Sequence, residues 1–284
     1  MRGAGLKARA RGPGPKRANA ILLIGAGRMG GALLAGWIAK GVAPVDVVEP
    51  NPSPALRSHA KSANVTLHAD LSTAPAQIRA CVIALKPQLL KTEAARLRGI
   101  AESGALMISI AAGTSIKSMT KAWGPKARIV RAMPNTPGSI GRGITALHAP
   151  GRVDAKDRAL ADSLLAALGE TVWVAREGLI DSATAVSGSG PAYVFFLVEA
   201  LAEAGCAEGL PRAVAEKLAR ATVCGAGALL DADPRTAADL RRDVTSPGGT
   251  TEAALEILMA KDGLRVLMAR AVAAANRRAK ALSA

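Results

Sequence analysis

A glycine-rich segment near the start of the chain has the residue types and spacing that hold a dinucleotide. The segment Gly25-Ala26-Gly27-Arg28-Met29-Gly30 follows the apolar run Ile21–Ile24 and precedes a helical pattern. In such a strand, turn and helix, the first glycine makes the tight turn, the second lets the backbone approach a pyrophosphate, and the third allows close packing. The N-terminus of the following helix faces the phosphates. We therefore predict cofactor contacts at each position from Gly25 to Gly30.

An acidic residue, Glu49, ends the second apolar run and bears on the choice of cofactor. A carboxylate at this place accepts hydrogen bonds from the adenosine ribose and disfavours a 2′-phosphate, which favours NAD. Asn51, Ser53 and Arg57 follow it and are suited instead to the phosphate of NADP. The sequence predicts cofactor contacts at Glu49 and Asn51 and leaves NADH and NADPH both open.

Three further loops follow predicted strands: Lys86-Pro87-Gln88, Ala112-Gly113-Thr114 and Met133-Pro134-Asn135-Thr136-Pro137. The carboxyl ends of parallel strands lie at one edge of a sheet, where ligands of such folds bind. We expect Lys86 and Asn135 to meet the phosphates or the nicotinamide. For any one of these loops alone, an ordinary connection between elements is the competing interpretation.

The second half of the chain contains two segments of small residues before helical patterns, Ser187–Tyr193 and Val244–Thr251. Free backbone N–H groups before a helix bind carboxylates or phosphates. In the second segment Gly248 and Gly249 permit close approach of a ligand, and Thr250 and Thr251 add hydroxyl groups. A plain loop with a helix cap is the alternative for either segment.

Histidine and cysteine usage excludes several kinds of chemistry. The three histidines lie far apart in the sequence, no GxSxG motif occurs, and the three cysteines form no CxxC pair. A histidine-ligated metal site and a serine hydrolase are therefore not expected, and no metal is predicted. Cys81, Cys206 and Cys224 indicate reduced core residues of a cytoplasmic protein.

The elements that must position these residues alternate in the first half of the chain. Short β-branched runs separated by helical stretches predict a buried parallel sheet built from βαβ units. The predicted strands are Ile21–Ile24, Val45–Glu49, Val65–Leu67, Ala80–Leu85, Leu106–Ala111, Arg128–Ala132, Ile144–Leu147 and Thr171–Val174. Helices are predicted at Gly30–Lys40, at Pro54–Ser62 and at Asp154–Leu168, the last capped by Asp154 and ended by Gly169.

From Leu179 onward the sequence is rich in Ala and Leu with helical spacing, and Pro191 and Pro211 stand where helices begin. Gly205 is placed where a helix would end. The fold class is α/β, with a Rossmann-type dinucleotide-binding domain over 20–176 and an all-helical dimerisation domain over 177–284. Apolar residues on more than one helix face predict a covering subunit; a self-contained bundle with an alanine-biased composition is the alternative.

The net charge of +15 invites an interpretation as a nucleic-acid binder, which the aromatic content opposes. Six basic residues lie in 1–19, a segment predicted to be a disordered extension, and the six aromatic residues offer no stacking platform. The uncharged run Ser182–Val198 is interrupted by Ser-Gly-Ser-Gly-Pro and is not expected to span a membrane. We predict neither nucleic acid nor membrane as a partner.

Four stretches together resemble the pyrroline-5-carboxylate reductase family, in addition to the GAGRMG segment. They are IALKPQ, MPNTPGSIGRGITAL, SGSGPAY and LRRDVTSPGGTTEAAL, and they occur in the family's order from about Ile21 to the last helix. The resemblance implies NAD(P)H-dependent reduction of the cyclic imine L-1-pyrroline-5-carboxylate to L-proline. It also implies a homodimer of interlocked helical domains, often assembled into a decamer, with the active site formed between one subunit's Rossmann domain and the partner's helices.

The resemblance also implies roles for individual residues. Cofactor contacts fall on Gly25 to Gly30 and on Ala84, Leu85, Lys86 and Pro87, with Asn135 near the nicotinamide. The substrate loop corresponds to Ser246 through Thr251, with Ser189 and Val244 also near the substrate. The N–H groups around Gly249 and Thr250 would hold the substrate carboxylate, and the Thr251 hydroxyl would meet the ring nitrogen as the catalytic group. Asp243 departs from members that have Asn beside the substrate, so that contact is in doubt.

Two other interpretations remain at this point. A β-hydroxyacid dehydrogenase has the same two-domain plan but relies on a lysine soon after the SGSG-like segment, and the helix after Pro191 has no lysine before Lys217. A non-catalytic nucleotide sensor would keep the Rossmann domain without turnover. A protonated imine is already electrophilic, so positioning the two reactants can supply about 7 to 11 kcal/mol without a catalytic histidine.

Overall fold

The computed structural model describes residues 20–42, 44–62, 64–75 and 77–283. The chain divides into two compact units, one ending at Glu177 and the other beginning at Gly178. The predicted extension, 1–19, lies outside the described residues.

Over its described residues, the first unit contains one eight-stranded sheet with the order β3-β2-β1-β4-β5-β6-β7-β8. Its strands are β1 Ile21–Ile24, β2 Val45–Val48, β3 Val65–His68, β4 Ala80–Ile83, β5 Leu106–Ser109, β6 Arg128–Met133, β7 Gly143–His148 and β8 Gly169–Trp173. Every predicted strand is present, with ends that differ by at most two residues. The chain order reverses between β1 and β4, and ligands of doubly wound sheets bind at such a switch point.

Strand direction differs from the predicted all-parallel sheet at one place. β1 to β6 run parallel to one another, but β7 pairs antiparallel with β6, and β8 runs parallel with β7. The link from Met133 to Gly143 is too short for the crossover of a dozen or more residues that a parallel pair requires. The loops after β1, β2, β4, β5 and β6 still meet at one carboxyl edge, as predicted.

The described part of this unit has six α-helices beside the sheet: α1 Arg28–Ala39, α2 Pro54–Ser62, α3 Pro87–Glu93, α4 Arg98–Glu102, α5 Ile116–Trp123 and α6 Ala155–Leu165. The predicted caps of α6 are confirmed at both ends. The Asp154 carboxylate accepts the Asp157 N–H at 2.8 Å, and Gly169 ends the following 3-10 turn with a φ of +127°. Because a residue with a side chain rarely adopts that φ, glycine is favoured there.

Both faces of the sheet are buried, which explains the continuous apolar runs of the strands. Alternate residues of β1 enter opposite cores, Leu23 with Trp37 on one face and Leu22 with Trp123 on the other. The N–H groups of these two tryptophans donate to backbone carbonyls. Trp37 Nε1 donates to Leu164 O at 2.7 Å, and Trp123 Nε1 donates to Ala94 O at 3.0 Å. This unit therefore closes its own core.

The second unit is entirely helical over its described residues, as predicted. Its α-helices are α7 Gly178–Ala183, α8 Gly190–Ala207, α9 Arg212–Ala232, α10 Ala237–Asp243, α11 Thr250–Leu258 and α12 Leu264–Ser283. A π-helical turn, Thr184–Gly188, joins α7 to α8. Thr236 and Asp239 form a capping box at the start of α10.

The predicted helix end at Gly205 is wrong. α8 continues to Ala207, and Gly209, with a φ of +93°, follows the end of the helix. A Cβ on Gly205 would lie 3.2 Å from Leu210 and 3.4 Å from the Ala215 side chain. Gly205 is therefore a packing glycine, where α8 approaches the start of α9.

Large apolar side chains of the second unit face outward. Its buried set consists mainly of alanines, whereas Phe196 is 67% and Ile257 75% exposed. The continuous helical run Gly178–Ala207 is long and apolar enough, by length and composition, to cross a membrane. The expected interruption at Ser-Gly-Ser-Gly-Pro does not occur, because the π-helical turn carries the chain through it.

Candidate functional site

The three glycines of the first turn have the three local environments predicted for them. Gly25 is buried with a φ of +87°, and a Cβ there would lie 3.0 Å from the Ala84 carbonyl oxygen. A Cβ on Gly30 would overlap the Gly25 carbonyl oxygen at 2.1 Å. Gly27 is exposed, and a Cβ there would meet nothing within 4 Å. Thus Gly25 and Gly30 build the turn, and Gly27 leaves its open side free for a ligand.

This cradle fits a dinucleotide pyrophosphate. The N-terminus of α1 follows directly, and backbone N–H groups with the helix dipole favour bound anions there. Arg28 is exposed at the first position of α1 and Met29 is half-buried against the core. The donor set is backbone amide and guanidinium, which suits phosphate.

The loop after β4 lies against the glycine turn, because β4 pairs with β1 in the sheet. Ala84 and Leu85 both approach the position of a Gly25 Cβ, at 3.0 and 3.1 Å. Lys86, exposed, is the N-cap of α3, and Pro87 stands in the first turn of that helix. The structure thus brings the predicted Ala84 to Pro87 segment beside Gly25 to Gly30.

Glu49 is fixed by the backbone of the same turn. One carboxylate oxygen accepts the Ala26 N–H at 2.9 Å and the other accepts the Asn51 N–H at 3.1 Å. Glu49 is half-buried, and Asn51 is exposed. Glu49 is therefore joined to the glycine turn by a hydrogen bond, and Asn51 is joined to Glu49.

A cleft of about 250 Å³ opens beside Glu49, between the ends of β1, β2 and β3 and helix α3. Its walls include Leu71, Leu85 and Leu89, which provide an apolar surface for a planar base. Asp70, Glu93 and Arg96 also line it. The cleft has the character of an adenosine site, with apolar walls and charged groups at Glu49, Asp70, Glu93 and Arg96.

Asp70, Glu93 and Arg96 form a linked set of charges. Arg96 donates to Asp70 at 2.6 Å and to Glu93 at 2.7 Å. The hydrogen bond from Arg96, with one from the Ser72 N–H, holds the pKa of Asp70 well below its usual range. Sequence reasoning missed these residues; the signal for Asp70 was its place just after β3, at the carboxyl edge.

Asn135 has a structural partner in addition to its predicted role. Its side-chain oxygen accepts the Ile144 N–H at 3.0 Å, at the start of β7, and a Cβ on Gly143 would lie 2.8 Å from that oxygen. The amide nitrogen of Asn135 has no partner among the described residues and is the donor that could meet a nicotinamide. In the neighbouring loop the Thr114 hydroxyl is buried without a hydrogen-bond partner among the described residues.

In the helical unit, the predicted substrate loop ends at the N-terminus of α11. Gly248 has a φ of +70°, its N–H donates to the Glu252 carboxylate at 2.7 Å, and the Gly249 N–H donates to Ser246 O at 3.0 Å. Among the described residues the Thr250 and Thr251 N–H groups and hydroxyls have no partner. The open donors at the N-terminus of α11 are therefore those of the two threonines, since the Gly248 and Gly249 amides are engaged.

The surroundings of the loop are exposed. Val244 and Ser246 lie at its start and are exposed, and the Thr245 hydroxyl donates to Arg241 O at 2.6 Å. Asp243, whose charge put a substrate contact in doubt, pairs with Arg235 at 2.5 Å. Its carboxylate is thereby compensated within the helical unit.

The expectation of free N–H groups before α8 is wrong for the first segment. Ser187 belongs to the π-helical turn, and the Ser189 N–H donates to Thr184 O at 2.8 Å. The Tyr193 hydroxyl donates to the Ala185 carbonyl at 3.0 Å. Ser189 is half-buried, and its hydroxyl has no partner among the described residues. Since the Ser189 N–H is engaged, only the hydroxyl of Ser189 could donate a hydrogen bond to a substrate. The substrate contact of Ser189 stays a prediction.

The first unit also contains a buried thiol and a histidine beside a buried carboxylate. Burial raises the pKa of the Cys81 thiol far above its usual range, so Cys81 is a core residue and not a nucleophile. His68 lies 2.7 Å from the buried Asp46 carboxylate, a pair that the sequence did not reveal. In the register of β2 and β3, Asp46 lies opposite Thr66 and His68 opposite Val48, so the two side chains are diagonal neighbours on one face of the sheet.

Two family models match the chain, one in each unit. Residues 177–282 match the model described as pyrroline-5-carboxylate reductase dimerisation. Residues 20–113 match the model described as NADP oxidoreductase, coenzyme F420-dependent. The fold class is therefore as predicted, with a Rossmann-like domain followed by a helical dimerisation domain.

Relatives match over nearly the whole chain. Pyrroline-5-carboxylate reductase from Synechocystis sp. is 42% identical over 262 residues, which cover 92% of this chain and 97% of that protein. The structure of a pyrroline-5-carboxylate reductase from Coxiella burnetii is 38% identical with a TM-score of 0.86, covering 94% of this chain and 100% of that one. A Plasmodium falciparum pyrroline carboxylate reductase structure with NADP bound has a TM-score of 0.78 at 26% identity, covering 94% and 98%. This chain belongs to the pyrroline-5-carboxylate reductase family.

Proposed function

We propose that this chain catalyses the NAD(P)H-dependent reduction of L-1-pyrroline-5-carboxylate to L-proline, the last step of proline biosynthesis. The observation that carries the proposal is the open glycine cradle at Gly27, in a chain whose relatives bear the name of this reductase over more than nine tenths of its length. The bound dihydronicotinamide would supply the hydride that reduces the imine carbon. The residues of this chain supply binding and orientation.

The first unit holds the cofactor in this proposal. Backbone groups of Gly25 to Gly30 bind the pyrophosphate, and the Ala84 to Pro87 loop closes beside them. Glu49 and Asn51 lie at the adenosine end, and Asn135 offers its amide nitrogen toward the nicotinamide. Contacts at these residues remain predictions.

The threonines of the helical unit hold the substrate. The open Thr250 and Thr251 N–H groups are suited to the substrate carboxylate, since backbone donors at a helix N-terminus favour an anion. The Thr251 hydroxyl is the candidate to bind the ring nitrogen and hold it in position. Such positioning needs no histidine, because a protonated imine is already electrophilic and orientation alone is worth about 7 to 11 kcal/mol.

The test is a cofactor-oxidation assay on purified protein with pyrroline-5-carboxylate, run with NADH and with NADPH. Substrate-dependent loss of absorbance at the dihydronicotinamide band, with proline as product, is the expected result. Cofactor binding without turnover would contradict the proposal and favour a nucleotide sensor. Turnover of a hydroxyacid in place of the imine would favour a β-hydroxyacid dehydrogenase.

Thr251→Ala tests the catalytic assignment. We expect turnover to fall by about tenfold or more, since one transition-state hydrogen bond is worth roughly 1.4 kcal/mol or above. The dissociation constants of both cofactors should stay at the wild-type values, because Thr251 belongs to the substrate loop. Wild-type turnover in the variant would remove Thr251 from the catalytic role. Thr250→Ala is the neighbouring control, which we expect to raise KM more than it lowers kcat.

The chain self-associates through its dimerisation domain. We propose that the exposed apolar side chains of α8 and α11 are covered by a second copy and not by lipid, although the Gly178–Ala207 run is long enough to span a bilayer. We also propose that the dimers assemble further into a decamer. The proposed location is the cytoplasm, and no nucleic-acid partner is proposed. Light scattering of the purified protein without detergent would distinguish a dimer, a decamer and a lipid-dependent aggregate.

A further inference from the structure

The adenosine end of the cofactor site contains a carboxylate whose position is fixed before any ligand binds. Glu49 accepts one backbone N–H on each oxygen, from Ala26 at 2.9 Å and from Asn51 at 3.1 Å. A carboxylate has about four acceptor sites, so two remain. The remaining sites suit two hydroxyl donors, such as the 2′- and 3′-hydroxyl groups of an unphosphorylated ribose.

The charges around this carboxylate oppose a further anion. Asp70 and Glu93 line the same cleft as Glu49, and Arg96 is the cation among the described lining residues. Arg96 already binds both Asp70, at 2.6 Å, and Glu93, at 2.7 Å. A 2′-phosphate, which carries a charge of about −1.5 to −2 at pH 7 as other phosphate monoesters do, would enter a cleft with an excess of negative charge.

The residues suited to a 2′-phosphate take part in local hydrogen bonds. The Ser53 hydroxyl accepts the Leu56 N–H at 3.2 Å at the start of α2. Arg57 Nε donates to the Pro52 carbonyl at 3.2 Å, and the Asn51 N–H is bound to Glu49 itself. These bonds hold the shape of the segment but leave the Ser53 hydroxyl proton and the Arg57 Nη groups available, so it is the charge of the cleft that opposes a 2′-phosphate.

We infer that Glu49 selects the cofactor and that this chain binds NADH at least about tenfold more tightly than NADPH, a difference within reach of one like-charge contact. The inference rests on the proposed function for its biological meaning, but it concerns binding alone. It also separates this chain from its Plasmodium falciparum relative, whose structure contains NADP.

The test compares equilibrium binding of NADH and NADPH by calorimetry, without substrate, for wild type and three variants. Glu49→Gln removes the charge and keeps an acceptor oxygen, so the ratio of the two dissociation constants should fall to within about threefold. Glu170→Gln removes a carboxylate from an exposed position of β8, at the far end of the sheet, and should keep the wild-type ratio. Arg57→Ala should also keep it, since in this proposal Arg57 contributes to the binding of neither NADH nor NADPH.

Each outcome decides the matter. Wild-type protein that binds NADPH as tightly as NADH overturns the inference, and this result needs no variant to fold. A Glu49→Gln protein with an unchanged ratio, and a melting temperature near wild type, also overturns it. Loss of NADPH binding in Arg57→Ala would show that Arg57 holds the 2′-phosphate, contrary to the inference.

The binding test and the activity test fail independently. Tighter NADH binding with no imine-dependent oxidation of either cofactor would remove the proposed function and leave the role of Glu49 standing. Imine-dependent turnover together with tighter binding of NADPH would support the proposed function and remove the role of Glu49.

Discussion

The two units of this chain bury different kinds of side chain. The first unit encloses Trp37, Trp123 and many Leu and Ile residues, with both faces of its sheet covered by its own helices. The second buries alanines above all, such as Ala202, Ala215 and Ala219 between α8 and α9. Because stabilisation follows buried apolar area at about 25 cal/mol per Å², the first unit is stabilised within one chain, and we expect association to stabilise the second.

The units also hold their candidate ligand-binding groups in different ways. The glycine turn is enclosed by β1, β4 and α1, so its geometry is set by the sheet. The loop before α11 is exposed and is held by hydrogen bonds of its own residues, including Gly248 to Glu252. Its rigidity is therefore local, and single substitutions should affect it without unfolding the rest.

The largest expected effect comes from charging the exposed face of the helical unit. Phe196→Asp places a carboxylate on α8 where the side chain is 67% exposed in one subunit. If a second subunit covers this position, an unpaired buried charge costs several kcal/mol, and the dimer dissociation constant should rise by about 10³-fold or more. Sedimentation velocity over a range of protein concentrations measures the change.

Ile140→Asp is the matched control in the first unit. Ile140 is 76% exposed and lies outside the dimerisation domain. We expect the wild-type assembly in this variant, because a carboxylate in water costs nothing. Equal dissociation in both variants, or none in either, would contradict the contrast between the two units.

The next largest effect is expected from a substitution in the core of the first unit. Trp37→Ala removes a fully buried side chain and its hydrogen bond to Leu164, which should lower the free energy of unfolding of this unit by about 3 to 5 kcal/mol. All three tryptophans lie before Gly178, so fluorescence of Trp123 and Trp173 reports this unit selectively. We expect the loss to be independent of protein concentration. A concentration-dependent midpoint would show that this unit, too, depends on association.

A smaller effect is expected from the substrate loop. Glu252→Ala removes the acceptor of the Gly248 N–H, and a hydrogen bond of this kind is worth about 0.5 to 1.5 kcal/mol net. We expect KM for the imine to rise about 2- to 10-fold with little change in kcat or cofactor affinity. Glu252→Gln keeps an acceptor oxygen and should restore KM. Glu256→Ala, exposed one turn further along α11, is the control; an equal rise of KM there would exclude a specific role of Glu252.

The elements of both units follow from sequence patterns, because burial on both faces and helical periodicity are local signals. The eight strands, the caps of α6 and the helical second half are all present where the patterns place them. The direction of β7 was missed, although the short link from Met133 to Gly143 contains the information. Gly205 was misplaced because a packing glycine and a helix-ending glycine look alike until the neighbouring helix is known.

The candidate sites were predictable as positions and not as hydrogen-bond networks. Gly25, Gly27 and Gly30 have the expected environments because the motif itself encodes the turn. The partners of Asn135 and Ser189 depend on β7 and on the π-helical turn, which no spacing rule reveals. The charges of Asp70 and Arg96 meet only after the fold brings the end of β3 beside the 3-10 turn that follows α3.

The smallest expected effect concerns a surface ion pair of the first unit. Asp70→Asn keeps the side-chain acceptor for the Ser72 N–H and removes the charge that Arg96 binds. Both side chains of that pair are 49% exposed, so we expect a change in melting temperature close to experimental error at pH 7. The pKa of Asp70 lies below its usual range in the folded state, so its contribution is present above pH of about 4 and is lost as pH falls. Melting curves followed by tryptophan fluorescence should therefore converge for wild type and variant on acidification. A gap that widens toward low pH would contradict that sign, and a large gap at pH 7 would mean that the closed unit depends on surface charge as well as on its core.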